Sequence, residues 1–242
     1  MSEFQIYPAI DLRGGKCVRL FQGDYCQETV YADSPVEMAK SFVEAGAKWI
    51  HMVDLDGAKD GSRINDQVVI EAAKLDANIQ VGGGIRSRED INHYLSNGVA
   101  RVIIGSLAVR EPELVASFIE EFGAERIVIG IDAKDGMAAT EGWIETSHKP
   151  APEVAAYFAS KGAKHFIYTD ISTDGTLAGP NIEANRKLVA DDHSQVIVSG
   201  GIGTLDDVKR VKQAAADSPI AGLIIGKALY ENRFTLKEAL TC

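Results

Sequence analysis

The sequence predicts an α/β fold, a (β/α)8 TIM barrel built from two fused, pseudo-two-fold half-barrels. Three observations carry this. Eight short runs rich in Ile and Val alternate with amphipathic segments, and strands buried on both faces of a parallel sheet are continuously apolar in this way. The chain has 242 residues, 45% of them hydrophobic, which suits the eight strand–helix units of one barrel. The second half of the chain repeats the first. An open doubly wound sheet also alternates strands and helices, but two equal halves of four units close naturally into a barrel.

The runs are FQIYPAI (4–10), KWIHMVD (48–54), NIQVG (78–82), RVIIG (101–105), RIVIGID (126–132), KHFIYTD (164–170), QVIVSG (195–200) and AGLIIG (221–226). Helices are expected between them. SPVEMAKSFVEAGA follows the first run, SREDINHYLSNGVA the third, APEVAAYFASKGA the fifth and TLDDVKRVKQAAA the seventh. Each opens at or beside Ser, Thr or Pro, and several close on Gly or Asn, the usual start and stop signals of a helix. Runs beginning near residues 4, 48, 78 and 101 are matched by runs beginning near 126, 164, 195 and 222, offsets of 116–122 residues. Phe42 then aligns with Phe158, Gly46 with Gly162, Asp54 with Asp170 and, through AIDLRGG against GIDAKDG, Asp11 with Asp132. Residues 1–242 are read as one domain with half-barrels of approximately 1–123 and 124–242, since no linker or low-complexity tract interrupts them.

Composition excludes several classes of function. A formal net charge of -10 argues against broad attraction to nucleic acid or anionic membranes, so an anionic ligand must be held by local fields. The opening MSEFQIYPAIDLRGG lacks a basic segment leading into an apolar core, and no run of about 18 apolar residues occurs. A cytoplasmic, monomeric protein acting on a small molecule is expected. Cys17, Cys26 and Cys242 lack C-x-x-C spacing and are read as free thiols. His51, His93, His148, His165 and His193 show no ligand spacing, so no metal is expected. No strand ends in a Lys placed for a Schiff base, although Lys16 and Lys134 lie a little beyond the first and fifth runs. GGGIRS lacks the G-x-G-x-x-G spacing of a dinucleotide site, and no cofactor is expected.

The repeated phrases VGGGIRSREDI (81–91) and VSGGIGTLDDV (198–208) indicate what the barrel holds. Loops after the seventh and eighth strands commonly form a phosphate site, and glycine lets backbone amides approach an anion closely. Gly200, Gly201, Gly226 and Lys227 occupy those loops; Gly83, Gly84, Gly105 and Ser106 repeat them across the mouth. Any one pair can also be a tight strand-to-helix turn. Four at pseudosymmetric positions favour two cradles and a bisphosphate substrate lying across the barrel. Asp11 and Asp132 then end opposite strands above the barrel axis. A strand-end Asp can cap the following loop, but a facing pair can divide acid and base work if their environments separate their pKa values. Thr169, Asp170 and Asp174 add polar groups at the rim, whereas Val53, the counterpart of Thr169, is apolar.

With these residues in view, AIDLRGGKCVRLFQGD, VDLDGAKDG, QVGGGIR, GIDAKDG, EGWIETS, TDISTDGTLAGPN, VIVSGGIG and GKALYE closely resemble the ProFAR isomerases of histidine biosynthesis, from near residue 5 to about 231. The resemblance implies an Amadori rearrangement, in which a ring-opened aminoaldose becomes an aminoketose with no redox change. It implies Asp11 as base and Asp132 as acid, with Thr169 and Asp174 assisting; Asp174 can instead donate the proton. It also implies phosphate binding by the two glycine sets and further substrate contacts from Arg19 and Trp143, the latter stacking on the aminoimidazole.

Two residues depart from the pattern. Ser106 and Lys227 stand where the family often has Thr and Arg, which matters little if backbone amides bind most of the phosphate. Glu141 stands where bifunctional relatives are expected to carry Arg, so activity on phosphoribosylanthranilate is expected to be weak or absent. The nearest alternative is the cyclase subunit of imidazole glycerol phosphate synthase, from whose Cys-Leu-Asp opening AIDLRGGKCVRL departs. A non-catalytic phosphosugar-binding barrel is the alternative from another class.

Overall fold

The computed structural model describes residues 3–21, 23–140, 145–189, 191 and 193–242. Eight parallel strands form the barrel: β1 (Gln5–Arg13), β2 (Trp49–Asp54), β3 (Asn78–Gly82), β4 (Arg101–Ile104), β5 (Ile127–Lys134), β6 (His165–Asp170), β7 (Gln195–Ser199) and β8 (Ile220–Ile225). Each pairs with the next, β8 pairs with β1, and β5 pairs with β6 in a register that sets Thr169 beside Asp132. The ring is closed, and β1 lies diametrically across from β5. All eight apolar runs are strands, to within a residue or two at most ends.

The segments with helix start signals are helices. Ser34 caps Pro35–Glu44, Ser87 caps Arg88–Ser96 and Thr204 caps Leu205–Ala214, while Ala151–Ser160 begins directly after Pro150. Ser87 with Asp90 and Thr204 with Asp207 form reciprocal capping boxes, each satisfying amides that a helix start leaves unpaired. The caps fall at equivalent places in the two halves.

The stretches that follow β1 and β5 contain hairpin strands. Lys16–Phe21 pairs antiparallel with the end of β1 and with Asp24–Ala32, and Met137–Thr140 pairs with the end of β5 and with Glu145–Pro150. These strands lie beyond the barrel rim; Asp24–Ala32 has no buried residue, and the buried positions of Lys16–Phe21 and Met137–Thr140 carry few of the Ile and Val residues that mark the barrel strands.

The core has two layers. Outside the strands, Ile10, Ile50, Ile79 and Ile129 are fully buried against the helices, each contributing roughly 1.5–3 kcal/mol of burial. Inside, Tyr7, Ala9, Ile103, Val128, Ile167, Ile197 and Ile224 fill the barrel. Its lower end is closed by the Arg101 guanidinium, 4.2 Å above the Trp49 ring, with Tyr7 5.7 Å from Trp49 on the other side.

Candidate active site

Side chains alternate along a strand, so the residue two places beyond each inner-core side chain also points inward. Asp11 follows Ala9, Asp132 follows Gly130, Thr169 follows Ile167, and Val53 follows His51 in this way. All line one cavity at the carboxyl ends of the strands. Asp174 joins them from the loop after β6, and Arg19 and Leu20 from the strand Lys16–Phe21. Gly83, Gly84, Gly105 and Ser106 flank the cavity on one side; Gly200, Gly201, Gly226 and Lys227 flank it on the other. Trp143 and Glu141 lie outside the described residues.

The carboxylates differ in their surroundings. Asp11 Oδ2 accepts a bond from Arg19 Nη1 at 2.6 Å, and both side chains are largely buried. Burial raises the Asp11 pKa above the usual carboxylate value, and the Arg19 charge opposes the rise. Arg19, expected to touch substrate, here touches a carboxylate. Asp174 carries no such partner among the described residues and is pushed up to about 6, by burial first and by the nearby Asp11 and Asp132 charges, against the pull of Arg19 and Lys227. Lys227 Nζ donates to the Gly175 carbonyl at 3.0 Å and lies 3.6 Å from Glu231.

The double glycines are held from behind by neighbouring loops. Gly84 has φ +73°, and a Cβ there would lie 2.5 Å from the Ser62 carbonyl oxygen; Gly201 has φ +87°, and a Cβ there would collide with the Gly179 carbonyl. Those loops are themselves fixed by carboxylates. Asp54 accepts from the Gly57, Ile64 and Asn65 amides and from the Asn65 side chain at 2.7–2.9 Å. Asp170 accepts from the Ser172 amide and hydroxyl and from the Asn181 side chain at 2.6–2.9 Å. Asp170 is therefore committed to its loop rather than to the cavity. Gly105 and Gly226 share one unusual backbone conformation, φ -101° ψ -99° and φ -110° ψ -100°, each just before a short helix.

Two cavity residues escaped the sequence reading. His51 lies on the cavity floor, and Gln80 Nε2 approaches its Nδ1 at 3.2 Å. Burial and the Arg19 charge push its pKa down to about 3, so the ring is neutral at physiological pH. Its inward position on a strand was the available signal. Arg86, three residues beyond Gly83, puts a cation at the rim of the first-half glycines, with its guanidinium against Gly61. Its place in GGGIR was the available signal. Among the described residues no group of three or more His, Cys, Asp or Glu is arranged to hold a metal ion, and no helix is long and apolar enough to cross a membrane.

The chain is a closed (β/α)8 barrel that sets carboxylates on opposite strands between two sets of glycine turns. The chain belongs to the histidine biosynthesis protein family, whose pattern matches residues 5–235. It is 59% identical over 241 residues, 99% of this chain and 98% of the relative, to 1-(5-phosphoribosyl)-5-((5-phosphoribosylamino)methylideneamino) imidazole-4-carboxamide isomerase of Geobacillus kaustophilus. Isomerases of the same name from Bacillus subtilis and Brevibacillus brevis are 53% and 50% identical, covering 99% and 98% of this chain and 98% and 95% of those proteins.

Proposed function

We propose that this protein is the aldose–ketose isomerase of histidine biosynthesis that converts the aminoaldose ProFAR to its aminoketose isomer PRFAR. The observation that carries the reading is the placement of Asp11 and Asp132 on opposite strands of one cavity, between two glycine sets, in a chain at least half identical to isomerases named for this substrate. The two glycine sets and Lys227 hold the substrate phosphates. An acid protonates the ring oxygen, the ring opens, and a base takes the C2 proton; the proton count is conserved and no electrons leave the substrate. Asp11, whose charged form the Arg19 guanidinium favours against the effect of burial, serves as the base.

Two groups compete for the role of acid. Asp132 has the facing position. Asp174 has the raised pKa, about 6, which leaves a fraction of it protonated near neutral pH, as a general acid requires. Thr169 assists by hydrogen bonding at the same rim.

The test is to mix purified protein with ProFAR, without added metal or partner protein, and follow formation of the ketose by chromatography. Turnover that falls at least a hundredfold in Asp11→Asn supports the base assignment. A comparable fall in Asp132→Asn but not in Asp174→Asn assigns the acid to Asp132; the reverse pattern assigns it to Asp174. No turnover by folded wild-type protein sends the function to the cyclase or binding-protein alternative.

A further inference from the structure

The Arg19 guanidinium lies in a slot. The Tyr230 ring forms one wall, its centroid 5.5 Å from Arg19 Cζ. Gly226 forms the other, since a Cβ there would collide with Arg19 Nη2. Inside the slot Nη1 reaches Asp11 at 2.6 Å and Nη2 reaches the Ala9 carbonyl at 3.3 Å. The Tyr230 hydroxyl donates to that same carbonyl at 2.9 Å, tying the ring to β1 two residues before Asp11. Tyr230 also packs on Tyr31 of the strand Asp24–Ala32, with centroids 5.0 Å apart, and edge-on to Phe42 at 6.5 Å. Counted from the repeat, the positions of Arg19 and Tyr230 fall on Thr140 and Val109 in the other half. The slot belongs to one half only.

We infer that Tyr230 is a positioning residue for Asp11: its ring and the bare face of Gly226 clamp Arg19 in place at hydrogen-bond distance from the Asp11 carboxylate. The inference rests on the reading of Asp11 as the base. An aromatic face attracts a guanidinium, most strongly where water is excluded, and a cation fixed at hydrogen-bond distance lowers a buried carboxylate's pKa where a mobile one does so less. Gly226 acquires a reason to be glycine that is separate from phosphate binding. The charged and titratable groups around this arrangement come from six directions: Arg19 and Cys17 from the strand Lys16–Phe21, Tyr25 and Tyr31 from the strand Asp24–Ala32, His51 from β2, Asp132 from β5, Asp174 from the loop after β6, and Lys227 and Tyr230 from the segment after β8. Of these, Arg19 donates directly to Asp11.

The test is the pH profile of kcat/KM for wild type, Tyr230→Phe, Tyr230→Leu and Tyr230→Met, with Asp11→Asn alongside. Losing the aromatic face in the Leu and Met variants is expected to move the acid limb upward by about one pH unit. Tyr230→Phe keeps the face and loses only the bond to Ala9, so its limb moves less. At pH 8 KM is expected to stay within about twofold of wild type, because the phosphate contacts are untouched. An unmoved acid limb in folded Leu and Met variants overturns the inference, as does an equal loss of rate at every pH. Should Leu fail to fold, the Met variant decides by the same criterion. Near-normal turnover by Asp11→Asn would instead defeat the reading of Asp11 itself, leaving a distinct signature.

Discussion

At the end of β2, Asp54 grips its loop and the Asn65 side chain; at the end of β6, Asp170 grips its loop and the Asn181 side chain. The caps Ser87 and Thr204 and the paired conformations of Gly105 and Gly226 repeat just as closely. Over the cavity the likeness stops. Val53 and Ala58 in the first half face Thr169 and Asp174 in the second, while His51 and Gln80 in the first face Ile167 and Ile197 in the second. Backbone-fixing residues were held in both halves because each loop needs its own anchors. Side chains over the cavity were free to diverge because one substrate meets both halves at once and needs each chemical group in one place.

Substitutions toward symmetry should expose the divergence most sharply. Asp174→Ala, which installs the counterpart residue Ala58, is expected to lower kcat by about a hundredfold where Asp174 is the acid and by less where it only assists Asp132, and single-turnover kinetics would show the loss in the chemical step. Asp174→Asn should also reveal the sign of the strain at this position. Its carboxyl titrates at about 6 in the folded chain against an ordinary 3.8, so the folded state binds more protons between those values and stability falls as pH rises through the window. The Asn variant is therefore expected to melt several degrees above wild type at pH 7 and to lose that advantage by pH 4.

The conserved anchors should respond alike. Asp54→Ala and Asp170→Ala each leave several donors unpaired, and each is expected to lose roughly 2–3 kcal/mol of stability by denaturant unfolding; a large loss at one site and none at the other would break the comparison. Gly84→Ala and Gly201→Ala place a methyl group against backbone at positive φ and should each lose about 1–3 kcal/mol. Arg86→Ala and Lys227→Ala test the least symmetric pair, since the two cations occupy non-equivalent loops. Each is expected to raise KM about tenfold with little change in kcat, the result of losing one charge-assisted contact to a phosphate.

The barrel strands were legible because burial on both faces leaves continuous Ile and Val runs, and the repeat made their arrangement legible too. The hairpins Lys16–Phe21 with Asp24–Ala32 and Met137–Thr140 with Glu145–Pro150 were not, because Asp24–Ala32 has no buried residue and Met137–Thr140 buries Ala138, Ala139 and Thr140 rather than Ile or Val. Asp11, Asp132, Thr169 and Asp174 were traceable to one mouth from strand ends and the repeat alone. The pairing of Arg19 with Asp11 was hidden, since it depends on a hairpin folding back over β1. His51 and Arg86 were illegible for different reasons: a neutral histidine on a barrel floor has no spacing signature, and an Arg just past a glycine turn looks the same in sequence whether it faces the cavity or solvent.

The lower end of the barrel sets a rule of traffic. With Arg101 laid across Trp49 and Tyr7 beneath the inner core, the bottom of the ring is stoppered by side chains, and the cavity opens where the hairpins stand. Substrate arrives and product departs through the same doorway, so an enzyme still holding its product cannot admit the next substrate. Product inhibition should accordingly be competitive, and under the proposed binding of both phosphates by the two glycine sets it should be strong, since the reaction leaves those phosphates unchanged.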